Sequence, residues 1–224
     1  MRRILLGAVA LGTLLLGAPA SASAGTLDQS QPVVGTGWEP VWGTNGGAQG
    51  FTAGLFGSLD QVDLSIDAQS SCAADLIVEI RQVDFTGMPT GTIFAVAKVS
   101  RLSVPSHVPG SAPSSLTPVT FPQPVQMAPG VQYAIVLPGV SSAVCYSWYA
   151  SPTKVYSGGT AYTSSTDSFT PLPDHDYGFR TYVEQASAPA PTAPAAPVTL
   201  CRKPRKRKHR SHKRLHKCTN PATT

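Results

Sequence analysis

The chain has 224 residues, of which 42% are hydrophobic and only 13% charged, with 20 glycines and 21 prolines. So few charges among so many turn-forming residues exclude a coiled coil or a helical bundle, and point to one turn-rich β domain with an appended segment. The formal charge of +5 conceals two regions of opposite sign.

The N-terminus reads Met1-Arg2-Arg3, then an apolar run from Ile4 to Leu16, then Ala22-Ser23-Ala24. A basic start, a short apolar stretch and small residues before the cut are the features of a secretory signal peptide, here residues 1–24. The run falls short of the roughly 20 apolar residues that cross a bilayer, and no later stretch approaches that length. The mature chain is therefore expected outside the cytoplasm, beginning near Gly25, with no transmembrane segment left after signal removal.

Residues 25–184 hold all twelve acidic residues and five basic ones, a formal charge of −7. Their apolar pattern has period two, the signature of half-buried strands. Val62, Leu64 and Ile66 alternate with Gln61, Asp63, Ser65 and Asp67; the same holds for Leu76, Val78 and Ile80, for Val131, Tyr133, Ile135 and Leu137, and for Tyr177, Phe179 and Thr181. Shorter predicted strands lie at 49–53, 92–99, 118–121, 145–150 and 160–164. Turn signals separate them at Asn45-Gly46-Gly47, Thr86-Gly87-Met88-Pro89, Ala128-Pro129-Gly130 and Ser157-Gly158-Gly159. Eight or nine short strands with one apolar face each predict an all-β fold: two antiparallel sheets packed as a jelly-roll-like β-sandwich, followed by a disordered C-terminal tail.

Within this region Gly50-Phe51-Thr52-Ala53-Gly54, Gly57-Ser58-Leu59-Asp60-Gln61-Val62-Asp63-Leu64, Val78-Glu79-Ile80-Arg81, Pro89-Thr90-Gly91-Thr92, the run 131–137 and Phe179-Arg180-Thr181-Tyr182 resemble bacterial secreted β-sandwich domains akin to the choice-of-anchor group. The resemblance covers residues 27–183. It implies a secreted β-sandwich domain, of a kind mostly uncharacterised in function, accompanied by a cell-surface attachment device. The chain departs from that pattern in having neither an L-P-x-T-G sorting motif nor a C-terminal membrane helix, so attachment is expected to reside in another part.

Residues 185–200 are rich in Pro and Ala and carry no charge and no aromatic ring, the composition of an extended linker that spans roughly 45 Å when stretched. Residues 201–224 form the polybasic tail. Between Cys201 and Cys218 stand ten cations and no carboxylate: Arg202, Lys203, Arg205, Lys206, Arg207, Lys208, Arg210, Lys213, Arg214 and Lys217. Mutual repulsion keeps such a run unfolded, and the expected partners are anionic cell-envelope polymers or lipid headgroups. Nucleic acid is less favoured, because the tail has no aromatic residue to stack on bases. His209, His212 and His216 add charge on acidification, and the surrounding cations oppose a metal there. The four cysteines, Cys72, Cys145, Cys201 and Cys218, allow three pairings. The favoured set, Cys72–Cys145 and Cys201–Cys218, keeps each bond within one compositional region. The tight C-x-x-C spacing of a zinc site is absent.

No G-x-S-x-G, H-E-x-x-H, Walker loop or G-x-G-x-x-G follows a predicted strand, so no catalytic residue or cofactor is expected. His107 reads as a solvated loop residue, and His175, between Asp174 and Asp176, as a surface turn. Strand alternation places Asp63 and Asp67 on a polar face and Asp60 on the other unless a bulge intervenes. Four aromatics are candidates for stacking on carbohydrate. Tyr146 and Trp148 share one strand face and qualify only if that face is exposed, since such rings also fill sandwich cores. Trp38 and Trp42, in a Gly/Pro-rich stretch, are better placed for exposure.

Overall fold

The computed structural model describes residues 25–140 and 143–185. The signal region, the linker beyond Gln185 and the tail with Cys201, Cys218 and its cations lie outside the described residues.

Thirteen strands form the described structure: β1 (Thr26–Gln31), β2 (Trp38–Val41), β3 (Asn45–Thr52), β4 (Gly57–Leu64), β5 (Ile66–Ala68), β6 (Leu76–Val83), β7 (Pro89–Val99), β8 (Thr117–Met127), β9 (Gln132–Leu137), β10 (Tyr146–Tyr149), β11 (Ala161–Ser165), β12 (Ser168–Leu172) and β13 (Phe179–Glu184). A single 3-10 turn at Arg101–Ser103 is the helical element among the described residues. The strands pair antiparallel as a four-stranded sheet β1-β13-β4-β8, a six-stranded sheet β12-β11-β3-β9-β6-β7, and a short sheet β2-β10-β5. The chain bends at Ser65, where β4 gives way to β5, so the short sheet continues the four-stranded layer: Ser65 N donates to Gly178 O, and Tyr149 N to Ser65 O. The result is the expected antiparallel sandwich, with this short sheet as a third ladder. Most connections pass from one layer to the other, as in jelly rolls; the hairpins β6–β7 and β11–β12 stay within one sheet.

The core lies between the layers and is lined by the alternating residues of the strands. Val62, Leu64, Ile66, Leu76, Val78, Ile80, Ile135 and Leu137 are all buried. Aromatic rings fill its centre: Trp148 stacks on Tyr177 with centroids 4.2 Å apart, and Phe51 packs against Tyr133 and Phe179. The Cys72–Cys145 disulfide ties the turn after β5 to the start of β10, closing a loop of 73 residues. On the chain-entropy account such a closure contributes roughly 4–5 kcal/mol.

Every proline inside a strand lies at a sheet edge. Pro40 is on β2, Pro89 on β7, Pro118, Pro122 and Pro124 on β8, and Pro171 on β12, while the interior strands have none. An edge strand has an amide to spare, whereas an interior one does not. The same prolines blunt the edges against pairing with another chain.

Two expectations change. Asn45-Gly46-Gly47 opens β3; the turn sits one step earlier, at Gly43 with φ 53°. Gly46 is needed for close packing, since a Cβ there would fall 2.0 Å from the Leu137 carbonyl oxygen. A register shift between Leu59 and Gln61 marks a bulge at Asp60, so the simple alternation between Asp60 and Asp63 does not apply.

Candidate functional site

Strand β2 pairs with β10 so that Trp38 lies opposite Tyr149 and Glu39 opposite Trp148. This pairing brings the segment before β2 against the residues that follow β10: Gly35 N donates to Ala150 O, and Ala150 N to Gly37 O. The turn between β12 and β13 completes a cleft of about 480 Å³, walled by Gly35–Glu39, Ala150–Pro152, Leu172 and His175. A site of roughly 300–1,000 Å³ suits a small molecule.

The wall opposite β2 is fixed by Asp176, whose side chain is fully buried. Its Oδ2 accepts hydrogen bonds from Val155 N (2.7 Å) and Tyr156 N (2.8 Å), which pins the 153–156 loop. Ser151 is committed as well. Its hydroxyl donates to the Thr153 carbonyl, with the Asp176 carbonyl a longer alternative, and accepts from Asp176 N. The cleft thus holds a serine, a histidine and a carboxylate together, yet the serine hydroxyl is bonded to backbone and not to His175.

Trp38 contributes an indole that is 38% exposed. His107 meets it edge-on, with ring centroids 6.0 Å apart and planes at 69°. His107 is in turn held by Asp67: Nδ1 lies 3.0 Å from the Oδ2 that also accepts the Tyr149 hydroxyl at 2.8 Å. This corrects the reading of His107 as a solvated loop residue. The 105–107 segment runs along β5, with His107 N donating to Ala68 O, and covers a face that alternation alone would leave to solvent. Asp67 is buried for the same reason.

Glu39 and His175 make no side-chain hydrogen bond among the described residues. Burial holds the Glu39 carboxyl above its ordinary range, and the neighbouring His175 pulls it partly back. His175 itself is exposed in its turn, as expected, with its amide donating to Leu172 O.

The four aromatic candidates separate. Tyr146 and Trp148 are fully buried, which removes them as stacking surface: the Trp148 Nε1–H donates to Gly178 O at 3.1 Å, and the Tyr146 hydroxyl to Ala74 O at 2.6 Å. Large rings with one polar group satisfied by backbone are ordinary core residues. Trp38 and Trp42 are exposed, although they stand on β2 and its hairpin and not in an irregular loop. Trp42 lies outside the cleft lining, and Trp38 within it.

No protein-family model matches the chain, and no curated protein is significantly similar to it. Among the described residues no group of three or more His, Cys, Asp or Glu is placed to hold a metal ion, and no helix is long and apolar enough to cross a membrane.

Proposed function

We propose that this is an exported, non-catalytic β-sandwich module displayed at the cell envelope and held there by its cationic tail. The observation that carries the reading is the segregation of charge. A domain of formal charge −7 is separated by an uncharged Pro/Ala linker from ten Lys and Arg within residues 201–218. Near an anionic surface each such cation contributes about 1 kcal/mol, so the tail suffices for retention at moderate salt. The Cys72–Cys145 disulfide supports an oxidising compartment, and the signal-like residues 1–24 agree with it. The last strand ends at Glu184, just where the uncharged linker begins. The likeness of residues 27–183 to choice-of-anchor domains, carried by strand motifs, belongs to the same reading, with the tail as the attachment device those domains keep elsewhere.

Cell-envelope fractionation of the full chain and of a chain lacking residues 201–224, across a salt series, tests it. The full chain should sediment with envelopes at low salt and be released as salt rises, since these attractions are screened, whereas the shortened chain should be in the soluble fraction throughout. Equal retention of both chains overturns the proposal.

A further inference from the structure

We infer that removal of residues 1–24 completes the fold: the α-ammonium group that the cut creates at Gly25 is held by Asp60 and Glu184, which locks the head of edge strand β1 onto its sheet. The inference rests on the export part of the proposed function and is independent of the tail. Three strands meet at this corner of the four-stranded sheet. Thr26 pairs with Val183, and Val183 with Leu59, so Gly25 lies alongside Glu184 at the end of β13. The approach is backbone to backbone. A Cβ on Gly25 would fall 2.4 Å from the Val183 carbonyl carbon and 2.5 Å from Glu184 N, so glycine is the residue that fits at the start of the mature chain. Asp60 is the extra residue of β4, at a register shift against both β8 and β13, and such a bulge re-aims the side chain.

Before the cut this corner is short of positive charge. Burial, and then the charge of Glu184, hold the Asp60 carboxyl above its ordinary range, and the Gly25 amide offsets part of that rise. The buried Asp60 Oδ1 has no hydrogen-bond partner among the described residues. Two neighbouring carboxylates thus face a nitrogen with one proton and no charge. Cleavage turns it into an ammonium with three donors, enough for both Asp60 oxygens and Glu184 together. The other carboxylates of these strands are committed: Asp28 accepts from Gly54 N, and Asp63 from Gln61 and Tyr182. Arg180 stands toward the far end of β13, opposite Ser30 and Asp63, and β8 has no ionisable residue. Strand β1 has use for the anchor, since it buries only Gln31 and pairs with β13 alone; chain ends not tied down fray. Such an ion pair raises the amine's pKa above its ordinary value of about 7.7–8.0. Its stabilisation is present below that value and is lost as pH rises through the raised one. At the acid end it is lost as the two carboxylates take up protons.

The test compares three chains: residues 25–224 with a free Gly25 amine, the same chain acetylated at Gly25, and residues 24–224, in which Ala24 moves the charge one residue out. The Gly25 α-amino group, followed by NMR in the folded protein, should titrate about half to one pH unit above its ordinary value. Denaturant unfolding at pH 6 should give the free-amine chain a folding constant about three- to tenfold above the other two, the factor to which that shift converts. The three should converge toward pH 9.5, where the amine loses its proton. Asp60→Asn should return the amine to its ordinary value and close the gap. Glu184→Gln, at an exposed strand end, should lower both in part, and it serves where the first variant folds poorly. The inference is overturned if the folded amine titrates at its ordinary value, or if residues 24–224 are as stable at pH 6 as residues 25–224. N-terminal sequencing of the exported chain separates this from failure of the reading beneath it. A start other than Gly25 removes the cut and the inference together, whereas a Gly25 start with an ordinary amine overturns the inference alone.

Discussion

Glu39 illustrates how one residue's environment is set by elements remote in sequence. It stands on β2 opposite the fully buried Trp148 and is itself half-buried, with His175 of the turn between β12 and β13 lining the same cleft. Burial raises its pKa above the ordinary value, with His175 opposing. The sign of the consequence follows from linkage. A carboxyl whose folded pKa exceeds its unfolded one keeps its proton longer in the native state, so stability is lost as pH rises through that interval. Glu39→Gln removes the ionisable group. Denaturant unfolding of the two proteins should therefore give similar midpoints at pH 4, with the variant gaining on the natural protein as pH approaches 7. The difference should be small, since the carboxylate is only half-buried and solvent screens the remainder. A variant that loses ground with rising pH would mean that ionised Glu39 gains more from His175 than burial costs it.

At the level of elements, legibility tracked the hydrophobic pattern. β4, β6, β9 and β13 have an interior face of alternating apolar residues, and their positions were readable to within a few residues. β1 and β12 were not, because Thr26–Gln31 and Ser168–Leu172 are edge strands with few buried residues and owe their conformation to one neighbour each. β2 was hidden by Pro40, a strand breaker everywhere except at an edge. Trp38 was visible as an exposed ring, whereas Glu39 and the Asp67–His107 support were not, since only the β2–β10 pairing and the 105–107 crossing set their surroundings. Gly46 shows the converse failure, a turn residue by composition that serves as a spacer between strands. Gly46→Ala should push β3 away from β9 and cost about 2–4 kcal/mol, in the range of severe backbone or overpacking effects. Gly91→Ala, on exposed β7 where a Cβ meets nothing within 4 Å, should lie within about 0.5 kcal/mol of the natural protein. Chemical denaturation of both variants checks the pair, and equal costs would refute the packing role of Gly46.

For the molecule as a whole, the sandwich is built around tyrosines whose hydroxyls are tied to the framework. Tyr146 donates to Ala74 O, Tyr149 to Asp67, Tyr156 to Gln29, Tyr162 to Gly87 O and Tyr182 to Asp63. Burial raises the phenol pKa in each case and in Tyr177, to about 12 for Tyr146 and Tyr156; the Asp67 and Asp63 carboxylates add to the rise in Tyr149 and Tyr182. An unfolded chain ionises its tyrosines near pH 10. Between that pH and the raised native values the unfolded state binds fewer protons than the native one, so stability falls as pH rises through that interval. Below pH 10 these groups are neutral in both states and impose no pH dependence. The expected behaviour is a native protein whose 295 nm tyrosinate absorbance stays low past pH 10 and then climbs together with the loss of near-ultraviolet circular dichroism. The guanidinium-unfolded chain should titrate smoothly near pH 10. If the folded protein titrated just as smoothly while keeping its β structure, the phenols would be solvated, and the aromatic centre would not be the closed core that positions β10, β2 and the cleft.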